Sequence, residues 1–406
     1  MSKHNTSPTL NKLFNSQIHT RKYSDILGRY YTPFHVADIL CKSMGYFNKA
    51  KVVDLGCGTG NLINASLKYW NDCVYDAYDI DDNALSNIYN NNLKLTTFNL
   101  DVIHNLLPPN MYDLGISNPP YTYFSNKKIS IAKYTNSKFE ESIFQLNRIP
   151  APLIFLNNLF HTVKRDGLIG IILPNGILVN KTYKKVRETL LNEYKILKII
   201  QLESYVFEKT ETQAHLLIIK NIKPRSKYVI QFLKLKSNEL VEPYLLKNTS
   251  CTERLDYSFS INNMQNENEK LNQYVTKIFR GKKSSKDIKD FQSKTFHTTN
   301  FKKGEKYIDI SYCVEKSTKG IYAQKGDILI ARVGRCFNEK IAIVKSNYIE
   351  VSDSIIIIRP KNGKTNFIYK YLKSELGQKF LKNFSQGTGA KYITHEHILN
   401  LPVILG

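Results

Sequence analysis

Short apolar runs alternate with helical patterns of hydrophobic residues between about residue 50 and residue 220. The runs are rich in valine, leucine and isoleucine, as buried strands are. We predict seven strands here: KVVDL (51–55), VYDAYDI (74–80), LKLTTFNL (93–100), DLGIS (113–117), LIGIIL (168–173), ILKIIQL (196–202) and AHLLIIK (214–220). Strands that alternate with helices predict an α/β domain with a parallel sheet covered on both faces.

The pattern changes after residue 220. Residues 221–270 mix proline with polar clusters, and shorter strand patterns follow in DILIAR (327–332), IAIVK (341–345) and DSIIIIRP (353–360). A long amphipathic helical pattern covers residues 366–384. We therefore predict two domains, 1–247 and 248–406, of which the second has a separate α+β fold.

Composition excludes several classes of protein. The start of the sequence has no apolar segment of signal-peptide length, and the longest apolar run is interrupted by Pro174, Asn175 and Gly176. The six cysteines show no CxxC spacing, which favours reduced, buried thiols over a disulfide framework. We expect a cytoplasmic protein without a membrane segment. His395 and His397 lack a third candidate ligand, so we expect no metal site.

The charge is concentrated towards the end of the chain. The net charge is +23, and residues 270–406 contain 26 lysines and arginines against 11 acidic residues, a net of +15. Part of this excess fits an AT-rich coding bias, which also explains asparagine-rich runs. A basic excess of this density nevertheless indicates a polyanionic partner.

A glycine loop follows the first predicted strand in VVDLGCGTGNL, where Gly56, Gly58 and Gly60 precede a helical pattern. The spacing differs from the G-x-G-x-x-G of dinucleotide sites. Asp79 ends the second strand, where a carboxylate can accept both hydroxyl hydrogens of a ribose. Asp101 follows the third strand and could accept a hydrogen from an adenine amino group. The combination predicts a nucleoside-containing ligand.

The fourth strand ends in Asn118-Pro119-Pro120-Tyr121. Neither proline can continue a strand, because each lacks an N–H and has a fixed φ. The strand therefore presents an amide, two rigid backbone carbonyls and an aromatic ring. Two fixed acceptors can each take one hydrogen of an aromatic amino group, which directs the nitrogen lone pair at an electrophile.

This order of motifs resembles the gamma class of N6-adenine DNA methyltransferases, and GRYYTPFHVADIL (28–40) is similar to their first cofactor motif. The resemblance implies a Rossmann-like sheet that binds S-adenosylmethionine, and an adenine flipped out of duplex DNA to reach the site. It implies these cofactor contacts: Tyr31, Thr32, Pro33, Asp54, Gly56, Gly58, Asp79, Ile80, Asp101 and Val102. It implies these catalytic and base-binding residues: Asn118, Pro119, Pro120, Tyr121 and Phe207.

The last third of the chain resembles a target-recognition domain of type I restriction specificity subunits. The similar stretches are KGDILIARVGR (325–335), DSIIIIRP (353–360) and GTGAKYITHEHILNLPV (387–403). The resemblance implies double-stranded DNA as a partner, and we name Arg332 and Arg335 as candidate DNA-binding residues. A separate restriction endonuclease is a possible partner. Such subunits usually contain two copies of this domain and the chain has one, which leaves the oligomeric state open.

Three alternatives remain at this point. The same motif chemistry serves enzymes that methylate an RNA base or a glutamine amide of a protein. The third alternative is a protein that binds DNA and has no catalytic activity. Phe207 also fits a plain core position, and Cys57 fits a small packing residue of the loop.

Overall fold

The computed structural model describes residues 32–88, 94–125, 137–204, 206–207, 213–241, 243–263, 269–290, 295–309, 320–346, 348–387 and 390–403. The chain divides into two compact units between Ser260 and Ile261. This division lies later than the predicted one at 247/248, because residues after 247 are bonded to the first unit. The Asn248 side chain accepts a hydrogen bond from the Tyr228 amide at 3.1 Å, and the Leu255 amide donates to the Leu178 carbonyl at 3.0 Å.

A ten-stranded sheet forms the centre of the first unit. Its strands are β1 (Lys51–Leu55), β2 (Val74–Asp79), β3 (Lys94–Asn99), β4 (Tyr112–Ser117), β5 (Val163–Pro174), β6 (Lys195–Gln201), β7 (Ala214–Lys220), β8 (Val229–Lys236), β9 (Glu239–Leu240) and β10 (Tyr244–Lys247). They are ordered β9-β8-β6-β7-β5-β4-β1-β2-β3, and β10 pairs with β8. Neighbours from β5 to β3 are parallel, so β1, β2 and β4 end at the same edge of the sheet.

The sheet is mixed, which corrects the prediction of a parallel sheet. β7 lies between β5 and β6 and runs antiparallel to both. An apolar run buried on both faces gives no indication of its direction, so β7 and its parallel neighbours have the same pattern in the sequence. The seven predicted strands are all present, and the predicted α/β class with a Rossmann-like sheet is confirmed.

Helices cover both faces of this sheet. They are α1 (Phe34–Met44), α2 (Asn61–Ser66), α3 (Asp82–Ser86), α4 (Lys138–Phe144), α5 (Ala151–Thr162), α6 (Asn175–Val179) and α7 (Lys184–Glu193). The division between the two units falls within the next helix, α8 (Tyr257–Asn263). α1 and α2 pack in one buried cluster with Ile172 and Leu216, and α5 and α7 pack in another with Ile171 and Leu217. Each face is therefore closed by apolar contacts, and functional groups are left to the edge where the strands end.

The second unit contains a smaller sheet. Its strands are β11 (Val275–Arg280), β12 (Tyr307–Ile308), β13 (Ile328–Ala331), β14 (Ile341–Val344) and β15 (Ile355–Pro360), in the order β11-β15-β13-β14-β12. Its helices are α9 (Ser285–Asp290), α10 (Thr365–Lys373), α11 (Glu375–Phe384) and α12 (His395–Leu399). The helical pattern over 366–384 forms two helices because Ser374 interrupts it: its hydroxyl accepts the Gly377 amide at 3.1 Å and caps α11.

Two-residue and three-residue strands form further pairs: Phe47–Asn48 with Trp70–Asn71, Tyr123–Ser125 with Arg148–Pro150, Glu269–Lys270 with Pro402–Val403, and Tyr322–Ala323 with Ile349–Glu350. Across the described ranges, no helix has both the length and the apolar character needed to cross a bilayer. The described cysteines are free thiols; Cys41, Cys57, Cys73 and Cys251 are buried and Cys336 is exposed.

Candidate functional site

The glycine loop turns sharply between β1 and α2. Gly56, Gly58 and Gly60 have φ values of +70°, +53° and +78°, in the left-handed region that favours glycine. A Cβ on Gly56 would also lie 3.0 Å from the Phe155 ring. The loop therefore keeps its backbone open towards the edge of the sheet, where a ligand can approach closely.

Asp79 is fixed at the end of β2 by backbone amides. Its Oδ2 accepts the Gly58 amide at 2.8 Å and its Oδ1 accepts the Asp81 amide at 2.9 Å. Each carboxylate oxygen keeps acceptor capacity beyond one bond. The carboxylate is thus oriented before any ligand binds, and it remains able to accept two hydroxyl hydrogens.

Asp101 has more partners than the sequence suggests. Its Oδ1 accepts the Ile103 amide at 2.9 Å, and its Oδ2 lies 2.7 Å from Nδ1 of His104. The hydrogen bond with Asp101 raises the pKa of His104. Asp101 is therefore held rigidly in the cleft, and His104 is a neighbour that the sequence analysis did not identify.

Asn118 lies at the end of β4 opposite the first cofactor motif. Its Nδ2 donates to the Thr32 hydroxyl at 2.9 Å, and the Thr32 carbonyl accepts from Asn61 Nδ2 at 2.8 Å. The first bond orients the amide with its oxygen away from Thr32. Thr32 therefore connects the Asn118 amide to the first turn of α2, although 86 positions separate Thr32 from Asn118.

One cleft brings most of the predicted residues together. Its lining includes nine of them: Thr32, Gly56, Gly58, Asp79, Ile80, Asp101, Val102, Asn118 and Pro120. It also includes residues that the sequence analysis missed: Cys57, Thr59, Asn61, Leu62, Leu100, Ile103, Thr122, Phe124 and Phe155. Most of the missed residues adjoin a motif in the sequence, whereas Phe155 comes from α5 and gave no signal.

Other predicted residues do not line the cleft. Pro33 lies at the start of α1, where its carbonyl accepts the Val36 amide at 3.0 Å. Pro119 is buried and Tyr121 is half-buried beside the cleft. Phe207 is 2% exposed and packs in the buried cluster that contains Leu202 and Leu216. Tyr31 lies outside the described residues.

Asp54 lies beneath the loop and is 1% exposed. Neither of its carboxyl oxygens has a hydrogen-bond partner among the described residues. Burial, together with the charge of Asp79, raises the pKa of Asp54 well above its usual range. It does not line the cleft.

We predict that Asp54→Asn changes how stability depends on pH. A carboxyl group whose pKa is raised in the folded state stabilises the folded protein fully below its unfolded pKa of about 3.9. This stabilisation is lost as the pH rises towards the folded pKa. Thermal unfolding of both proteins should show the wild type losing stability relative to the variant as the pH rises from about 4 towards neutrality, by up to roughly 1.4 kcal/mol per pH unit.

Asp72→Asn is the control of opposite sign for this experiment. A hydrogen bond from Lys94 lowers the pKa of Asp72, so this carboxylate contributes stability above its unfolded pKa and loses it as the pH falls. If Asp54→Asn and wild type keep a constant difference across this range, Asp54 is ionised in the folded protein and the assignment is wrong.

The two candidate DNA-binding arginines lie in the second unit. Arg332 follows β13, is half-buried, and donates from Nε to the Asp353 carbonyl at 3.1 Å. Arg335 is exposed in the same loop. The described residues contain no cluster of histidine, cysteine, aspartate and glutamate able to hold a metal ion.

The cleft has the chemistry required for S-adenosylmethionine. Adenosine presents an apolar ring and two ribose hydroxyls, and the cleft offers Ile80 and Val102 as apolar walls beside the oriented Asp79 carboxylate. The glycine loop leaves the space that a Cβ would occupy. These residues fit the cofactor's nucleoside, with the glycine loop next to it.

Comparisons with known proteins agree with this geometry. Residues 78–278 match the model of the N-6 DNA Methylase family. The tRNA1(Val) (adenine(37)-N6)-methyltransferase of Pedobacter heparinus is 31% identical over 137 residues, which cover 31% of this chain and 52% of that protein. The type II methyltransferase M.CvrRI of Paramecium bursaria Chlorella virus XZ-6E is 21% identical over 223 residues, covering 54% of this chain and 55% of that protein.

A solved structure is similar over both units. The type IIG restriction endonuclease BpuSI superposes with a TM-score of 0.51 at 13% identity, covering 93% of this chain and 59% of that one. The chain spans about half the length of the curated relatives that it matches. The first unit has a Rossmann-like α/β sheet, and residues 78–278 within and beyond it match the N-6 DNA Methylase model.

Proposed function

We propose that the chain is a site-specific DNA methyltransferase that transfers a methyl group from S-adenosylmethionine to N6 of an adenine flipped out of duplex DNA. The observation that carries the proposal is the convergence of three strand ends on one cleft. The glycine loop after β1, Asp79 at the end of β2 and Asn118 just after β4 all line it.

Different residues of the cleft would contact the cofactor and the target adenine. Thr32, Asp79, Ile80, Asp101 and Val102 would hold the cofactor, which supplies an electrophilic methyl group when bound. The ribose hydroxyls would donate to Asp79, whose carboxylate is held in place by the amides of Gly58 and Asp81. Because this orientation exists before binding, little ordering is left for the binding step.

Asn118 and the backbone carbonyl of Pro119 would accept the two N6 hydrogens of the adenine. The amino nitrogen of adenine is a weak nucleophile, because its lone pair is delocalised into the ring. Two acceptors on a rigid backbone favour a tetrahedral nitrogen whose lone pair is directed at the methyl group. The bond from Asn118 Nδ2 to Thr32 holds the amide in one orientation for this purpose.

The target base must leave the double helix, since an adenine inside a duplex cannot reach the cleft. Flipping costs a few kcal/mol, and stacking on an aromatic ring returns about 1–3 kcal/mol. We assign Tyr121, directly after the two prolines, as the stacking ring. The basic second unit, with its net charge of +15 over residues 270–406, would hold the DNA.

A second candidate is methylation of an adenine in RNA. The 31% identity to a tRNA adenine-N6 methyltransferase favours it. That match covers 31% of this chain, however, whereas the match to the N-6 DNA Methylase model extends over residues 78–278. The DNA substrate accounts for both units, and so we prefer it. A restriction endonuclease encoded separately would be the partner of such an enzyme.

The experiment is a substrate competition followed by nucleoside analysis. The full chain is incubated with S-adenosylmethionine and a mixture of genomic DNA and total RNA, and the digested nucleosides are identified by mass spectrometry. We expect N6-methyl-2′-deoxyadenosine in the DNA. Methylated ribonucleosides alone would establish the RNA alternative, and binding of cofactor and DNA without any product would establish a non-catalytic protein.

A further inference from the structure

Two arginines and a histidine lie at one edge of the smaller sheet: Arg280, Arg332 and His395. Arg280 ends β11, and it is in register with Ile356 of β15, which is in turn in register with Ile330 of β13. Arg332 comes directly after β13. Because β11 and β13 are both antiparallel to β15, they run in the same direction and end at the same edge.

His395 is brought to this edge by a short backbone ladder. The Ile393 amide donates to the Arg332 carbonyl at 2.9 Å, and the Gly334 amide donates to the Lys391 carbonyl at 2.9 Å. These bonds fix the segment that leads into α12, at whose first position His395 lies. Nε2 of His395 is enclosed and has no hydrogen-bond partner among the described residues.

Negative charge at this edge is limited. In the described ranges, Arg280 and Arg332 form no ion pair with a carboxylate, and Nε of Arg332 bonds to the backbone carbonyl of Asp353. The Asp353 carboxylate lies near Arg332 and accepts the Ser354 hydroxyl at 3.0 Å. Like charges held together cost free energy unless an anion joins them.

The pKa values of the groups agree with mutual repulsion. Burial lowers the pKa of His395, and the charges of Arg280 and Arg332 lower it further. Burial and the charge of Arg280 also lower the pKa of Arg332, while Asp353 opposes this. On α12 itself, Glu396 is exposed and the His397 amide bonds to the Thr394 hydroxyl in the helix cap. Burial and the two arginine charges therefore disfavour the protonated form of His395 when no anion is present.

We propose that Arg280, Arg332 and His395 form a binding site for one backbone phosphate of DNA, and that His395 takes up a proton when the phosphate binds. The proposal rests on the DNA substrate proposed above and adds the residues and the linkage to pH. A phosphate beside the two guanidiniums cancels their repulsion of the imidazolium, so binding favours the charged form.

The test measures binding of the full chain to a fluorescent mixed-sequence DNA duplex, without cofactor. We expect Arg280→Gln and Arg332→Gln each to reduce the slope of log K against log salt by about 0.9, equally on different DNA sequences. Arg332→Lys should restore the slope, because a lysine keeps the charge. Lys345→Gln is the matched control: Lys345 follows β14 at the opposite edge, over the Tyr307 ring, and its loss should leave binding at this site unchanged.

The second measurement compares binding at about pH 6 and about pH 8, the range over which an imidazole titrates. Wild-type affinity should rise at the lower pH by at least about threefold more than that of His395→Gln, and by at most about tenfold per pH unit. Near pH 8 the two proteins should bind equally. His35→Gln, which changes an exposed histidine of α1, should keep the wild-type dependence.

Several outcomes would overturn the proposal. If the DNA affinity of wild type and His395→Gln depends equally on pH, His395 does not take up a proton on binding. If the slope of log K against log salt is unchanged in both arginine variants, the arginines do not contact a phosphate. If the arginine variants lose affinity only for particular DNA sequences, the arginines contact base edges and not the backbone. If the same residues bind an RNA duplex more strongly than DNA, the ligand of the site is RNA. DNA binding is measured without cofactor. An absence of methylation would therefore refute the proposed function, and the DNA-binding data could still be interpreted.

Discussion

Asn118→Ala should lower kcat for methyl transfer by at least about a hundredfold, the loss typical when one preorganised transition-state contact is removed. In the proposed function the amide oxygen accepts a hydrogen bond from the reacting nitrogen and makes no contact with the ribose or the adenine of the cofactor. The Kd values for S-adenosylmethionine and DNA should therefore stay within a few fold of wild type. Single-turnover transfer to DNA and calorimetric cofactor binding measure the two quantities separately.

Two further variants make this result specific. Asn118→Asp should retain more activity than Asn118→Ala, because a carboxylate oxygen also accepts the hydrogen. Asn192→Ala removes an exposed asparagine of α7 and should behave as wild type. Transfer by Asn118→Ala at a rate near that of wild type would exclude the proposed role of the amide.

Asp79→Ala should raise the Kd for S-adenosylmethionine by about tenfold to a hundredfold. A hydrogen bond to a charged acceptor contributes about 1.5–3 kcal/mol, and each 1.4 kcal/mol is a factor of ten. The same change frees the amides of Gly58 and Asp81, which loosens the glycine loop. The rate at saturating cofactor should fall much less than the affinity does, since the contact is made before the reaction as well as during it.

Asp82→Ala is the matched control for this prediction, because Asp82 is an exposed carboxylate in the first turn of α3 and does not line the cleft. Its cofactor affinity should equal that of wild type. Unchanged affinity in Asp79→Ala, measured on a folded protein, would mean that the end of β2 does not hold the ribose.

The chemistry of the candidate site was largely visible in the sequence. Short motifs at strand ends carry it, and parallel strands necessarily end at one edge. For that reason the glycine loop, Asp79, Asp101 and Asn118 could be predicted to meet without knowledge of the order of the strands. The apolar runs of β1, β5, β6 and β7 could be predicted as strands because burial on both faces of a sheet requires continuous apolar sequence, whereas β3 is an edge strand with mostly exposed residues.

Long-range packing decided what the sequence could not. The antiparallel direction of β7 leaves no trace in an apolar run, and the pairing of β5 with both β4 and β7 is fixed only by the assembled sheet. The sequence left Phe207 open between a base contact and a core position, and the structure shows it buried in an apolar cluster. Phe155 reaches Gly56 from a helix far along the chain, and Thr32 orients Asn118 across 86 positions.

The sequence by itself thus determined which residues could perform the chemistry, because local motifs are read from neighbouring positions. Only the tertiary structure decided which of them share a cleft and which unit the residues after 247 join. Those outcomes depend on contacts between residues far apart in the chain, such as the Leu255 amide with the Leu178 carbonyl, and on the burial that accompanies them.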